Sequence, residues 1–319
     1  GEVLGGPMYV IKNGLPKNML PLAYFFAFAG MIGCLPAFQS NQLIQITGDL
    51  AFSNIENFNI YGGLSLAFIT AIVVLGGIKR IAEVASYLVP LMGSIYFGAM
   101  LIAIILNLNL IIPAFKLILT DAFTGSAIAG GTFFGVLIYG VRRGAFSNEA
   151  GMGTESLVHG IAKVSNPVKQ GLVAMTGPIF DTLIICTATA LMILISGVWE
   201  SSSSQGVTLT SEAFSSLLGS FGELILFACV ICFGLSTIFS YSYYGASCSR
   251  FLFGKLGMRF YVYLYIISIF IYSIVPIDIA INIADGAFAM MAIPTLVSAL
   301  WLAPKVMQAS KNYFKIIES

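Results

Sequence analysis

Apolar residues run along the chain in long stretches, separated by short polar segments. A bilayer core about 30 Å thick takes about 20 apolar helical residues to cross. Eight stretches meet or approach that length, and the pattern predicts a helix over each: 20–47, 61–77, 84–106, 122–141, 171–198, 221–245, 260–283 and 286–303. The second and the last are the shortest. Between them, charge is sorted by side. If residues 1–19 face the cytoplasm, every Lys and Arg except Lys116 falls on the cytoplasmic side. The opposite loops hold Asp49, Glu56, Asp121, Glu200, Glu212, Glu223, Asp278 and Asp285. Lys and Arg collect on the cytoplasmic face of membrane proteins. The sequence therefore predicts an all-α, polytopic protein of the cell (inner, plasma) membrane with eight spans and both ends in the cytoplasm.

Composition sharpens this. Of 319 residues, 58% are hydrophobic and 9% charged, against roughly 45–50% and 25% in soluble domains. That excludes a water-soluble globule and makes the lipid bilayer a partner. A net charge of +1 excludes a nucleic-acid partner, which calls for a basic surface. The five cysteines, Cys34, Cys186, Cys229, Cys232 and Cys248, lie in or beside apolar runs and read as small buried hydrophobes. No H-E-x-x-H, phosphate-binding loop or G-x-S-x-G occurs, so no enzymatic centre is expected. The chain opens at Gly1 without an initiator Met, and the expectation is that it forms the C-terminal part of a longer protein.

Polar side chains inside apolar stretches are costly in lipid and become functional candidates. The first stretch carries Gln39, Ser40, Asn41, Gln42 and Gln45 just after Pro36. Such amides suit an amino acid's carboxylate and amine, or serve as interhelical hydrogen-bond glue. The sixth carries Ser236, Thr237, Ser240 and Tyr241. Adjacent hydroxyls suit a sodium ion, although in helices they also bond carbonyls one turn back. The fourth holds Gly130 and Gly131, where a span can unwind or another helix approach closely. Asp181 suits a proton relay or, the reading favoured, an anchor for the neighbouring basic loop. The run GAFSNEAGMG directly follows Arg142 and Arg143. Its polarity and glycines predict a cytoplasmic gate centred on Asn148 and Glu149, with Glu149 pairing with a cytoplasmic Arg or Lys. A structural cap for the next helix is the alternative.

Four strings carry a resemblance: GGPMY (5–9), RRGAFSNEAGMG (142–153), NPVKQGLVAMTGPIFDTLIICTATAL (166–191) and STIFSYSYYG (236–245). They resemble the alanine or glycine:cation symporter family, and FQSNQ around Gln39 is similar to that family's V-Q-A-N-S type run. The resemblance implies a partial leucine-transporter fold, with three helices of the first inverted repeat and the complete second repeat. The corresponding divisions are 1–119, 120–304 and a C-terminal tail, 305–319. It implies substrate contacts from Gln39, from Gly130, Gly131, Thr132 and Phe133, and from Tyr241. It also implies sodium ligation by Ser236 and Thr237. Tyr241 stands where the family usually has Trp, and Gly130-Gly131-Thr132 where it has G-G-F. The function expected is sodium-coupled symport of a small neutral amino acid, alanine or glycine, by alternating access. The alternative is a non-transporting receptor or channel-like homologue. Without the N-terminal helices of the family, this chain alone is not expected to transport.

Overall fold

A computed structural model describes residues 4–123, 133–204 and 206–318. Among the described residues all regular structure is helical. The helices are α1 (Pro7–Gly14), α2 (Leu20–Gly33), α3 (Ala37–Ala51), α4 (Phe58–Val74), α5 (Gly77–Leu106), α6 (Leu108–Phe123), α7 (Phe133–Asn148), α8 (Glu155–His159), α9 (Pro167–Pro178), α10 (Thr187–Ser196), α11 (Val198–Ser201), α12 (Val207–Ile274) and α13 (Ile277–Glu318). A wider π-type turn, Ile179–Cys186, joins α9 to α10.

Among the described residues, five helical segments are long and apolar enough to cross a bilayer: Lys17–Ala51, Gly77–Leu106, Pro167–Ser196, Val207–Ile274 and Ile277–Ile316. The shorter apolar α4 accompanies them. The chain is thus a multi-pass membrane protein, with five long apolar helices among the described residues against eight spans expected over the whole sequence, of which 122–141 lies partly outside the described residues. Merging explains much of the difference. The 68 residues of α12 would extend about 100 Å as one rod, but non-helical glycines at Gly219 and Gly254 break it. At Gly254 (φ +70°) the chain folds back. The Tyr265 hydroxyl then reaches the Ile238 carbonyl at 2.6 Å, and Tyr261 lies against Gly245, where an added Cβ would come within 2.1 Å of its hydroxyl oxygen. The Tyr261 hydroxyl donates onward to the Met31 carbonyl at 2.7 Å, fastening this hairpin to α2.

Three further expectations on element bounds are corrected. The first stretch is two helices, because the chain breaks over Cys34–Pro36 and α3 restarts after the proline, which has no N–H to continue the ladder. The segment after Val141 is still helix, since α7 continues through Arg142 and Arg143 to Asn148. The stretch before Lys116, expected as loop, is the separate helix α6. α12 packs against α2, α3, α4 and α5, and α13 packs against α2 and α3. Phe26, Ile238, Phe239, Tyr261, Tyr265 and Met291 are buried at the centre of this assembly.

Candidate functional site

A cavity of about 500 Å³ opens between α3, the end of α7 and the middle of α12. Gln39 and Gln42 reach it from α3, Thr237 and Tyr241 from α12, and Arg143 and Glu149 from α7 and the residue following it. The break before α3 sets the register that turns Gln39 and Gln42 to this side. The other amides and hydroxyls of the same run go elsewhere. The Asn41 side-chain N–H₂ donates to the carbonyls of Val275 at 2.6 Å and Tyr272 at 3.3 Å, bracing the end of α12. Ser40 is fully buried.

Among the residues expected to hold the ion, Thr237 lines the cavity. Ser236 is buried one position away, and its hydroxyl donates to the Phe233 carbonyl at 3.0 Å. Gly130, Gly131 and Thr132 lie outside the described residues, and Phe133 opens α7. Asn148 ends that helix. Its amide donates to the Thr182 hydroxyl at 3.0 Å and its carbonyl oxygen accepts from the backbone N–H of Ala150 at 2.9 Å. One residue back, the Ser147 hydroxyl donates to the Asp181 carboxylate at 2.6 Å. Asp181 is therefore an anchor, tying α7 to the π-type turn rather than holding a basic loop. Such turns interrupt a helix where side chains must be re-aimed.

Glu149 is the joint of the arrangement. It has a left-handed backbone (φ +53°), and Gly151 and Gly153 follow with φ of +82° and +90°. Helix stops at Asn148 and resumes at Glu155. The Glu149 carboxylate accepts the Tyr241 hydroxyl across this break, where an Arg or Lys partner was expected. It lines both the central cavity and a second, mainly apolar one of about 540 Å³ beneath α1 and the end of α13. Glu155 also faces that second cavity. Burial raises its carboxyl above the ordinary range, and His159 opposes the shift.

Sequence reasoning missed Arg143 as a cavity residue. Its guanidinium pairs with Asp285 on α13 and lies over the rings of Tyr139 and Phe146. The loop count had put these two charges on opposite faces, and groups in contact cannot be separated by a hydrocarbon core about 30 Å thick. Both therefore leave the loop tally. Phe146 stacks edge-on with Phe38 at 5.5 Å and lies 5.4 Å from Phe288, so aromatic rings close the cavity beside the ion pair.

The sequence model of the sodium:alanine symporter family matches residues 1–319. The chain belongs to that family. It is 36% identical over 325 residues to a Bacillus subtilis protein named "Uncharacterized transporter YflA", with 98% of this chain and 67% of the relative covered. It is 36% identical over 322 residues to the sodium/alanine symporter AgcS of Methanococcus maripaludis, covering 99% of this chain and 70% of the relative. The probable sodium/glutamine symporter GlnT of Bacillus subtilis is 32% identical over 311 residues, covering 97% and 64%. The names of these relatives describe sodium-coupled carriers of amino acids, alanine for AgcS and glutamine for GlnT.

Proposed function

We propose that the protein moves a small neutral amino acid, alanine or glycine, inward across the plasma membrane together with sodium, by alternating access. The observation that carries this is the convergence on one cavity of Gln39, Glu149 and the pair Thr237 and Tyr241, which come from three distant parts of the sequence. Gln39 hydrogen-bonds the substrate. Tyr241 and the segment Gly130, Gly131, Thr132 and Phe133 shape its pocket. The Ser236 and Thr237 hydroxyls supply ligands to the sodium ion. Asn148 and Glu149 form the inner gate, with Asn148 held to the π-type turn and Glu149 latched to Tyr241 between the two cavities. Helices in 1–119 and 120–304 act as two inverted repeats that rock against each other, and both ends of the chain, including the tail 305–319, are cytoplasmic. One sodium charge moving down 100 mV contributes about 2.3 kcal/mol, which sustains roughly fifty-fold accumulation of substrate.

Equilibrium binding of radiolabelled alanine to purified full-length protein tests this reading. Binding is expected in sodium and lost in choline. The joint variant Ser236→Ala with Thr237→Val is expected to need more sodium for half-maximal binding, and an unchanged sodium dependence contradicts the assignment.

A further inference from the structure

The wall of the central cavity carries a charge that neither the ion ligands nor the gate uses. Among the described residues lining that cavity, Arg143 is the one cation. Its counter-ion lies on the far side. Asp285 lines a neighbouring cavity of about 490 Å³ between α7 and α13, which Arg143 does not line, so the pair stands in the partition with the cation on the central side. A guanidinium presents its N–H donors along the edges of a planar fork, more of them than a single carboxylate can engage. Here the contact runs from Nη2 to one carboxylate oxygen, and the buried Nε has no acceptor. An unsatisfied buried donor shows that Asp285 alone does not complete the surroundings of this charge.

The side chain is also held in place. Its Cζ lies 5.5 Å from the centroid of the Tyr139 ring and 5.3 Å from that of Phe146, contacts that grip a guanidinium by its face and leave its N–H edges for a ligand. Phe146 packs edge-on against Phe38 at 5.5 Å. Phe38 precedes Gln39, so this contact brings the amide-bearing side of α3 up to Arg143, and both side chains reach the same cavity. Gln39 and Gln42 are neutral and cannot balance the charge of a carboxylate taken out of bulk water. A guanidinium can, and its fork matches the spacing of the carboxylate oxygens.

We propose that Arg143 receives the carboxylate of the amino-acid substrate, exchanging its contact with Asp285 for the ligand. The inference rests on the reading of the central cavity as the amino-acid site, and adds to it the group that recognises the substrate's negative end. A ligand without a free carboxylate leaves the guanidinium unmatched and is rejected for that reason. Release of Asp285 also ties substrate binding to the contact between α7 and α13, which the ion pair otherwise bridges.

The test is equilibrium binding of radiolabelled alanine and glycine, in sodium, to full-length protein in detergent, for wild type, Arg143→Gln, Arg143→Lys and Asp285→Asn, with a melting curve for each. Arg143→Gln is expected to weaken binding about tenfold or more, through loss of a charged hydrogen-bond partner. Arg143→Lys keeps the charge without the fork and is expected to fall between. Asp285→Asn removes the competing carboxylate and is expected to bind more tightly. If Arg143 serves only the fold, through its ion pair, Arg143→Gln and Asp285→Asn lose binding and stability together, and that result overturns the proposal. If Arg143→Gln does not fold, Arg143→Lys decides: weaker binding with wild-type melting supports the contact, and wild-type affinity overturns it. Binding that Arg143→Gln leaves unchanged overturns the carboxylate contact while keeping the amino-acid site, whereas wild-type protein that binds neither amino acid overturns both.

Discussion

The Tyr241 hydroxyl donates to the Glu149 carboxylate, joining the middle of α12 to the residue at which α7 ends. Glu149 lines both the central cavity and the cavity beneath α1, so under the proposed gate opening between them requires this contact to part. Tyr241→Phe removes the donor and keeps the ring. Hydrogen bonds to charged groups contribute about 1.5–3 kcal/mol, so the open population is expected to rise about tenfold or more. A single cysteine at Val230, in protein freed of its native cysteines, reports this through the rate of labelling by an impermeant thiol reagent applied from the α1 side. Equal labelling in Tyr241→Phe and in protein with native Tyr241 contradicts the latch.

Gln39 and Asn41 are two residues apart and face different surroundings, the central cavity and the end of α12. Gln39→Leu is expected to weaken alanine binding about tenfold, the worth of one buried hydrogen bond, with little change in thermal stability. Asn41→Leu strips a donor from the Val275 and Tyr272 carbonyls, and about 1–3 kcal/mol of stability is expected to be lost with binding retained in the folded fraction. Paired melting and binding curves check both. The reverse pattern contradicts the assignment.

Arg143 and Asp285 are each partly exposed, at 31% and 21%. Screening by solvent limits their coupling to about 1 kcal/mol. A double-mutant cycle of Arg143→Gln and Asp285→Asn, read by thermal unfolding in detergent, is expected to return a coupling of that size. Strictly additive single effects contradict a structural pair.

Gly245→Ala is expected to abolish a monodisperse folded protein, because the new Cβ would overlap the Tyr261 hydroxyl that holds the Met31 carbonyl. Gly98→Ala makes the contrast. A Cβ there meets nothing within 4 Å, and replacing a mid-helix glycine contributes about 0.5–1 kcal/mol of stability. Size-exclusion profiles of the two variants distinguish the outcomes.

The residues that line the candidate cavity could be picked out because they are chemically out of place. Gln39, Thr237 and Tyr241 are polar groups in apolar stretches, and Glu149 stands among glycines. Local pattern could not reveal their mutual approach or that of Arg143 to Asp285, since these contacts join residues far apart in the chain. A tally of loop charges treats each Arg as solvated, and so it placed Arg143 in a loop when α7 carries it into the cavity wall. Hydropathy likewise located apolar segments while blurring their ends. It passed through the interruption over Cys34–Pro36, and it could not anticipate that Gly219 and Gly254 would lie within one nearly continuous run of helix. The break at residues 149–154 was visible as glycine and polarity, but its position between two cavities depends on α12 and α13.

The most direct test of the central claim is uptake of radiolabelled alanine and glycine by full-length protein reconstituted in liposomes, with an inward sodium gradient or with choline in its place. The account predicts accumulation above the external concentration in sodium, none in choline, and a higher sodium requirement for Thr237→Val. Amino acid that binds without accumulating, or uptake equal in sodium and choline, would contradict it.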